Sequence, residues 1–370
     1  MFFLTSKCFC ISIIIGIFLD KTERGREQKM KDLVIDFKCP MCAGILRYDS
    51  ESGKLLCDNC GHTQDILEAP EIEREEEEVS GEEQALICDS CGAVLVADPE
   101  VTSTCCAYCG SNVALGERLR GKFAPDKVIP FTVSKEEAKA AYKKWAKNGL
   151  LTPRDFMTEK RLGEITGIYV PFWLYDMNVS AEAQCLCTKK RSKRQGDYII
   201  QETDYYNVYR QANLDYEKVP ADASVKMDDT TMDCLEPYNY AELKNFTPEY
   251  LAGFQAERYG MNAEELSGRV KGRVRNYAEQ YLASTITGYA SVTYQKRECI
   301  AEETKHYYTL LPVWILQYKY KGEEKSYTMN GQTGKIVGKA PISIGKIAKW
   351  ASILYGCSFL IFALLAYLIV

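Results

Sequence analysis

Histidine is scarce in this sequence, with 2 residues among 370. Ser-His-Asp and Cys-His catalysis both need a histidine beside the nucleophile, so His62 and His306 leave almost no candidates for either. No G-x-G-x-x-G dinucleotide fingerprint is present. The GQTGKI segment at 331–336 has too few residues between its glycines for a phosphate-binding loop, and isoleucine follows its lysine. These absences predict a protein without a catalytic motif.

An excess of positive charge is also missing. The chain has 46 Lys+Arg and 51 Asp+Glu, a formal net charge of −5, which gives no overall attraction to nucleic acid or anionic lipid. The deficit is concentrated between Asp36 and Arg118, where 18 acidic residues face 5 basic ones. Because phosphate binding depends on cationic side chains that release counterions, DNA binding by this region is disfavoured.

Cysteine, in contrast, is abundant, with 16 residues. Eight of them form the repeats CPMC…CDNC and CDSC…CAYC, each with fourteen residues between its two pairs. Four thiolates satisfy tetrahedral Zn²⁺ and leave no position for a substrate water, so we predict two structural zinc ions. The predicted ligands are Cys39, Cys42, Cys57 and Cys60 in the first site, and Cys88, Cys91, Cys106 and Cys109 in the second.

Two further predictions concern the other cysteines. Cys105 adjoins Cys106 and competes with it as a ligand, but only Cys106 has the CxxC spacing to Cys109. The cysteines outside the pairs share no spacing, which predicts buried free thiols in a reducing compartment.

These patterns predict a multidomain protein with two small β zinc ribbons, an α+β domain and a C-terminal transmembrane helix. An acidic linker, with eight acidic residues and one arginine, joins the ribbons and predicts two independent units without a shared core. The predicted boundaries are 1–29 for an apolar N-terminal segment, 30–70 and 84–118 for the ribbons, 71–83 for the linker, 122–343 for the α+β domain and 347–370 for the helix.

Within the α+β domain, Ser134 and Glu137 form a capping box for one helix, and Asn262 begins another. The apolar stripe of the second helix is predicted to continue through Tyr277 and Tyr281 into the core. Further helix starts are predicted at Thr152-Pro153 and Thr247-Pro248, strands at Tyr169–Ala183, Tyr198–Arg210, Tyr289–Gln295 and Tyr307–Tyr320, and a hairpin turn near Asn330-Gly331.

Ala351 to Val370 contains no charged residue. As a helix, this stretch is about 30 Å long, the thickness of the bilayer hydrocarbon core, and it predicts a transmembrane helix. By the positive-inside rule, the preceding lysines place the bulk of the chain in the cytoplasm, at the cell membrane. These lysines are Lys335, Lys339, Lys346 and Lys349.

The opening segment, Met1 to Leu19, is also apolar and allows two interpretations. It is a second membrane anchor, held by the basic residues that follow it, or it belongs to an extension upstream of a translation start at Met30. We favour the second, because the sequence from Met30 onward reads as complete.

One run of the sequence is strongly basic: Lys189, Lys190, Arg191, Lys193 and Arg194. It is predicted to be a solvated hairpin tip. Contact with the anionic cytoplasmic leaflet and contact with nucleic acid are the alternatives, and the terminal helix favours the leaflet of these two.

Several segments carry a family resemblance: CPMC…CDNCG, the IPF before a helix, YVPFWLYD, DASVKMDDTTMDCLEPYNY and LPVWILQYKYKG…NGQTGKIVGKAP. Together they resemble a bacterial family of membrane proteins with a transcription-factor-IIB-type zinc ribbon, and the likeness covers nearly everything from Met30. Members of this family sometimes inherit the name primosomal helicase from the ribbon alone. That name implies ATPase motifs that this sequence lacks. The resemblance implies the ribbon cysteines as site residues and no established reaction, and Ala43 stands where a glycine usually follows the first pair.

Our leading functional hypothesis is therefore a membrane-tethered, cytoplasmic, non-catalytic protein whose ribbons bind another protein. The alternative is a nucleic-acid-binding regulator of transcription or replication that uses the ribbons. An enzyme with a site in the middle domain is a third hypothesis.

Overall fold

The computed structural model describes residues 34–35, 37–67, 84–88, 94–97, 100–105, 112–115, 119, 123–148, 151–153, 165–320, 323–338 and 343–369. Over these residues the protein is mostly β, with a few helices and one cluster of four cysteines. The predicted β ribbons, α+β domain and apolar C-terminal helix are consistent with this composition in its coarse form.

The strands are β1 (Val34–Ile35), β2 (Leu46–Asp49), β3 (Lys54–Cys57), β4 (Thr63–Gln64), β5 (Gln84–Ile87), β6 (Val94–Ala97), β7 (Val101–Cys105), β8 (Asn112–Leu115), β9 (Lys127–Val128), β10 (Thr166–Gln195), β11 (Tyr198–Asp222), β12 (Lys244–Asn245), β13 (Gln255–Glu257), β14 (Ser291–Tyr320), β15 (Glu323–Asn330) and β16 (Ile336–Gly338). The α-helices are α1 (Lys135–Asn148), α2 (Asp229–Leu235), α3 (Ala263–Thr285) and α4 (Ile344–Ile369), and short 3₁₀ helices cover Tyr240–Glu242 and Pro248–Leu251.

Three long antiparallel strands organise the molecule. β10 lies between β11, with which it forms a hairpin, and β14, with which it pairs from Thr166↔Ile315 to Thr188↔Ser291. At about 3.3 Å per residue, the 30 residues of β10 extend for roughly 100 Å. We call Thr166–Tyr175 and its strand partners the base, and the paired strands from Met177 to the turn at Gly196 the arm.

The base is buried on both faces. Ile168, Val170 and Phe172 pack on one face in a cluster that includes Met232 and Leu235 of α2. The other face carries an aromatic core. The rings of Phe131 and Phe254 stack with centroids 4.0 Å apart, and each of them also contacts Tyr169 and Trp314. Burial on both faces explains the continuous apolar run of this part of β10.

The arm is covered on one face only, by α3. Alternate residues of β10 pack against this helix and are buried: Met177, Val179, Ala181, Ala183, Cys185 and Cys187. The residues between them, including Asn178, Ser180 and Gln184, lie on the open face and are exposed. This alternation is the pattern of a strand with one solvated face.

The first ribbon is not an independent unit. Phe37, Leu46 and Leu55 belong to the same apolar core as the base, the Tyr48 amide donates to the Ala252 carbonyl at 2.9 Å, and the Tyr48 ring meets that of Tyr250 edge-on. β1, β7 and β8 also join the large sheet through β13. The prediction of separate ribbons is therefore wrong for these residues. The Tyr48 side chain extends out of the ribbon and packs on Tyr250, so the ribbon shares the core of the sheet.

The predicted helix starts are confirmed where capping side chains specify them. Ser134 and Glu137 exchange both bonds of a capping box at the start of α1, and Asn262 with Glu265 does the same for α3. Thr247-Pro248 opens a 3₁₀ helix and not an α-helix, and the residues after Pro153 lie outside the described part of the chain.

The outer stripe of α3 was predicted incorrectly. Tyr277 and Tyr281 are about half exposed, while Ala278 and Leu282 continue the buried stripe begun by Leu266. Small residues lie at the contact because α3 packs closely on the arm. The aromatic side chains point to solvent or to β11, where Tyr277 approaches Tyr216.

The strands are longer than the sequence predicted. The predicted strand at Tyr289–Gln295, from Ser291 onward, and the one at Tyr307–Tyr320 belong to a single strand, β14, and the polar residues between them lie in the arm. The hairpin near Asn330-Gly331 is confirmed, since β15 and β16 pair antiparallel across that turn.

The C-terminal helix α4 is long and apolar enough to cross a membrane over the 20 residues Ile344–Ala363. It begins three residues before the predicted boundary, so Lys346 lies in its first turns. The Ser343 amide donates to the Leu151 carbonyl at 2.8 Å, and the Lys346 ammonium donates to the Thr152 carbonyl at 2.5 Å. These bonds fix the start of the helix to the segment that follows α1.

Candidate metal centre

Two tight turns bring four cysteines together in the first ribbon. In the first turn the Cys39 amide donates to the Gly44 carbonyl at 2.7 Å, and the Ala43 amide returns to the Cys39 carbonyl at 2.8 Å. In the second, the Cys57 amide donates to His62 and the Gly61 amide to Cys57. The pairing of β2 with β3 brings the two turns to the same end of the ribbon.

The four sulfurs have the geometry of a tetrahedral thiolate site. All four lie within 4.8 Å of one another, with Cys39 Sγ 3.6 Å from Cys60 Sγ and Cys42 Sγ 3.5 Å from Cys57 Sγ. Zinc–sulfur bonds of about 2.3 Å would place tetrahedral sulfurs roughly 3.8 Å apart. The cluster therefore fits a metal ion of the size and softness of Zn²⁺, which would supply charge neutralisation and cross-linking.

Neighbouring groups polarise the thiols unequally. The Asn59 side-chain amide lies 3.5 Å from Cys42 Sγ, and this contact, with the Gly44 amide, lowers the pKa of Cys42 to about 6. At Cys60 the His62 amide acts to lower the pKa, but the sulfurs of Cys42 and Cys39 outweigh it and raise the pKa to about 12. One thiolate is thus present near neutral pH, and metal binding would displace the remaining protons.

Two residues that contribute to this site, Asn59 and Gly44, were not predicted from the sequence. Asn59 lies within the second CxxC pair, where its role depends on the fold of the turn. Gly44 leaves room for the sulfurs, because a Cβ at this position would lie 3.2 Å from both Cys42 Sγ and Cys57 Sγ. The position of Gly44 just after the first cysteine pair could have predicted this need for space beside the sulfurs.

Of the second predicted site, only Cys88 is described with its side chain, and it is buried. It follows β5, which pairs with β6. Cys91, Cys106 and Cys109 lie outside the described residues, so the second zinc site stays a prediction.

The chain is 44% identical over 328 residues to the uncharacterized protein YdjG of Bacillus subtilis (strain 168). The alignment covers 89% of this chain and 96% of YdjG. The chain belongs to the YdjG family. No family model and no solved structure matches the chain.

A serine, a carboxylate and a histidine of this chain are hydrogen-bonded to one another where α3 packs on the arm. Ser267 of α3 donates to Glu303 Oε2 at 2.5 Å, and His306 Nδ1 lies 2.8 Å from Glu303 Oε1. The carboxylate is in the middle of this chain of bonds, whereas a catalytic triad needs the histidine between serine and acid. The arrangement links α3 to β14 and does not activate Ser267.

The predicted basic run lies at the end of the arm. Lys189, Lys190, Arg191, Lys193 and Arg194 are the last residues of β10 before the turn at Gly196. The expectation of a hairpin tip is confirmed. Apolar residues of β11 lie opposite this basic run. Their position follows from the register of β10 with β11 and was not predicted from the sequence.

The cysteines outside the pairs divide by environment. Cys185 and Cys187 are buried against α3, as predicted for free thiols. Cys234 and Cys357 are exposed and Cys299 is half-buried, so the prediction of burial fails for these three.

Proposed function

We propose that the protein is a membrane-tethered adaptor in which the zinc ribbons bind another protein and α4 crosses the membrane. The main support for the ribbon contact is the four-cysteine cluster of residues 39–60. It is held on the base, and its first turn faces solvent. Zn²⁺ is the proposed ion at each of the two ribbon sites, in a structural role.

The four-thiolate arrangement supports a structural metal and not a reacting one. Four protein ligands fill the tetrahedral shell of zinc, which leaves no position for substrate or water. The metal would instead fold a ribbon too small to have a core of its own. Its energetic role would be to hold the two turns in place on the base.

The outer turn of this ribbon supports a protein contact. Met41, between the two cysteines of the first pair, is 73% exposed although it is apolar. Methionine adapts its shape to apolar partners and is common at binding surfaces. Because Tyr48 and Leu46 attach the other side of the ribbon to the base, Met41 is held outward on a rigid support.

Charge disfavours nucleic acid as the partner of this ribbon. Arg47 pairs with Asp58 at 3.0 Å and Lys54 with Asp65 at 2.8 Å. Phosphate binding needs cations that can exchange their counterions, and these two are already paired with carboxylates.

The terminal helix supports the membrane tether. Its apolar side chains, among them Leu354, Phe359 and Phe362, are exposed over most of their surface. A bilayer would cover them. The lysines preceding the apolar stretch and the need for reduced thiolates both favour the cytoplasm for the ribbons and the sheet.

The protein contact can be tested by replacing Met41 with a photo-crosslinking amino acid in the membrane-bound full chain. We expect an adduct with a discrete protein, identified by mass spectrometry, that disappears when Cys57→Ser is added. The control places the same amino acid at Glu51, an exposed position on the other end of the ribbon. Identical adducts at both positions, or none at position 41, would refute the proposal.

The metal content tests the zinc assignment separately. Purified full chain should hold two zinc equivalents, and Cys42→Ser and Cys106→Ser should each remove one. Cys105→Ser should retain both. A single equivalent in the wild type would exclude the second site.

Topology is tested by protease added to intact cells. The ribbons and the sheet should survive, while lysed cells should show cleavage in the acidic linker at 71–83. Cleavage of that linker in intact cells would place the ribbons outside and exclude a cytoplasmic adaptor.

A further inference from the structure

The end of the arm projects beyond the rest of the sheet. β14 begins at Ser291 opposite Thr188, and α3 ends at Thr285, so β10 and β11 continue past both as a two-stranded ribbon. We call residues 189–203 the tip. Neither face of the tip is covered by another described element.

The tip combines cations with large apolar side chains. Across the hairpin, Lys193 pairs with Ile200 and Arg194 pairs with Ile199. Tyr198 and Ile199 are 78% and 72% exposed. Because neighbouring residues alternate between faces, Ile199 lies on one face of the tip and Tyr198 with Ile200 on the other. Apolar groups are therefore presented on both faces, with a cation beside them on each.

Part of the positive charge is available to a partner. Arg191 is 3.7 Å from Asp204, and the Lys189 ammonium lies over the rings of Tyr206 and Tyr289. Among the described residues, Lys190 and Lys193 have no carboxylate within ion-pair distance.

These features identify the chemistry of the partner. Cations require an anionic surface, while exposed isoleucine and tyrosine on both faces require surroundings that enclose the tip in apolar material. The headgroup region of an anionic bilayer provides both, since phosphates lie directly above the acyl chains. Nucleic acid offers the phosphates, but it accepts apolar side chains only as wedges between base steps, which would not cover Ile199 and Ile200 on opposite faces of the tip. We propose that the tip docks into the surface of an anionic lipid bilayer.

This contact is distinct from the proposed membrane tether. α4 starts beside Leu151 and Thr152, which follow α1, and α1 packs on the base through Tyr142 and Tyr327. Along β10 the tip starts roughly 45 Å beyond Tyr175, and its turn lies roughly 70 Å from the base. It would contact a bilayer far from the anchor, so the two contacts can be tested separately.

The test uses the full chain in nanodiscs of phosphatidylcholine, which have no net charge. These are mixed with vesicles of phosphatidylcholine alone or with 30 mol% phosphatidylglycerol added, and capture is measured by co-flotation. We expect capture by the anionic vesicles that weakens as salt is raised. Lys193→Ser with Arg194→Ser should lower the partition coefficient at least about tenfold, because each cation near such a surface contributes separately.

Two further variants give the test its control. Ile199→Ser with Ile200→Ser should also lower capture, at unchanged net charge. Lys143→Ser with Lys144→Ser removes two exposed cations from α1 and should leave capture unchanged. Thermal unfolding in detergent verifies that each variant is folded.

Absence of capture by anionic vesicles, or equal capture of the wild type and the Lys193/Arg194 variant, would overturn the proposal. Tip-dependent binding of an oligonucleotide without vesicle capture would assign the tip to nucleic acid and overturn it as well. The proposal does not depend on the ribbon contact, which the Met41 experiment tests on different residues.

Discussion

The base and the arm are built from the same strands and differ in the number of faces they bury. In the base, Val170 and Phe172 pack on one side while Tyr169 and Trp173 pack on the other. Beyond Tyr175 the apolar cluster formed with α2 ends, and only the α3 side remains covered. The base therefore contains most of the packing that stabilises the sheet, whereas the arm extends one surface about 65 Å away from it.

Removing the proposed metal should have the largest effect, confined to the first ribbon and its contact with Tyr250. Chelation or Cys57→Ser should unfold the first ribbon, since structural zinc contributes roughly 10 kcal/mol or more to the folding of such units. Hydrogen exchange should rise throughout 37–67, and around Tyr250, which loses its contact with Tyr48.

The arm should keep its protection in the same experiment. Cys234→Ser is the matched control, because this cysteine is exposed and outside the cluster. Loss of protection in residues 177–187 after chelation would show that the base and the arm unfold together.

A pair of aromatic truncations compares the packing of the two regions directly. Phe131→Ala removes a fully buried ring that contacts three other aromatic residues, and should cost about 3–5 kcal/mol. Tyr205→Ala on the arm removes a ring that is 69% exposed, and should change stability by less than about 0.5 kcal/mol. Thermal unfolding of the full chain in detergent measures both, and equal losses would contradict the comparison.

The carboxylates of the two regions respond to pH in opposite directions. Asp222 pairs with Phe172 in the base, and burial raises its pKa from 3.8 to about 7. On the arm, hydrogen bonds from Lys296, then Tyr209, lower the pKa of Glu182. Asp222 in the base is therefore harder to ionise than an ordinary aspartate, and Glu182 on the arm is easier to ionise than an ordinary glutamate.

The sign of the Asp222 effect follows from proton linkage. Between pH 4 and 7 the unfolded chain releases this proton while the folded chain retains it, so stability falls as pH rises. Asp222→Asn removes this loss, and its advantage over the wild type should grow across the window to at most roughly 4 kcal/mol. Unfolding is measured from pH 5 to 8.

Glu182→Gln is the control of opposite sign. Because the folded pKa of Glu182 is lowered, its contribution is present above the unfolded pKa and is lost as pH falls. The variant should be less stable than the wild type at pH 7, with a difference that persists to pH 5 and shrinks only below about pH 4.5, the ordinary pKa of glutamate. An Asp222→Asn curve parallel to that of the wild type would show that Asp222 ionises normally in the folded protein.

The sequence predicted those features that local chemistry specifies. The spacing of the first two CxxC pairs predicted the four-cysteine cluster, and Ser134 with Glu137 defines a helix start within four residues. The alternation along β10 depends on α3, which lies about 90 residues away in the chain. The docking of Tyr48 onto Tyr250 and the placement of Ile199 opposite Arg194 are pairings that no local pattern encodes. The exposed Tyr277 shows the same limit, because helical periodicity does not specify how closely the helix packs.

The smallest expected effects are at two residues with left-handed backbone, one in the ribbon and one at the end of the arm. Ala43 has φ 56° and Gly196 has φ 63°. A side chain in this conformation costs about 1 kcal/mol relative to glycine, partly offset by the greater freedom of glycine in the unfolded chain. Ala43→Gly should therefore slow hydrogen exchange slightly in 37–67.

Gly196→Ala should act in the opposite direction and only near the turn. Its added Cβ meets no other atom within 4 Å, so the cost is conformational, about 1 kcal/mol. Exchange should speed up in the tip, while the melting temperature, which depends on the base, stays constant. A lower melting temperature for Gly196→Ala would mean that the arm contributes to the cooperative unit, and the division between base and arm would then be wrong.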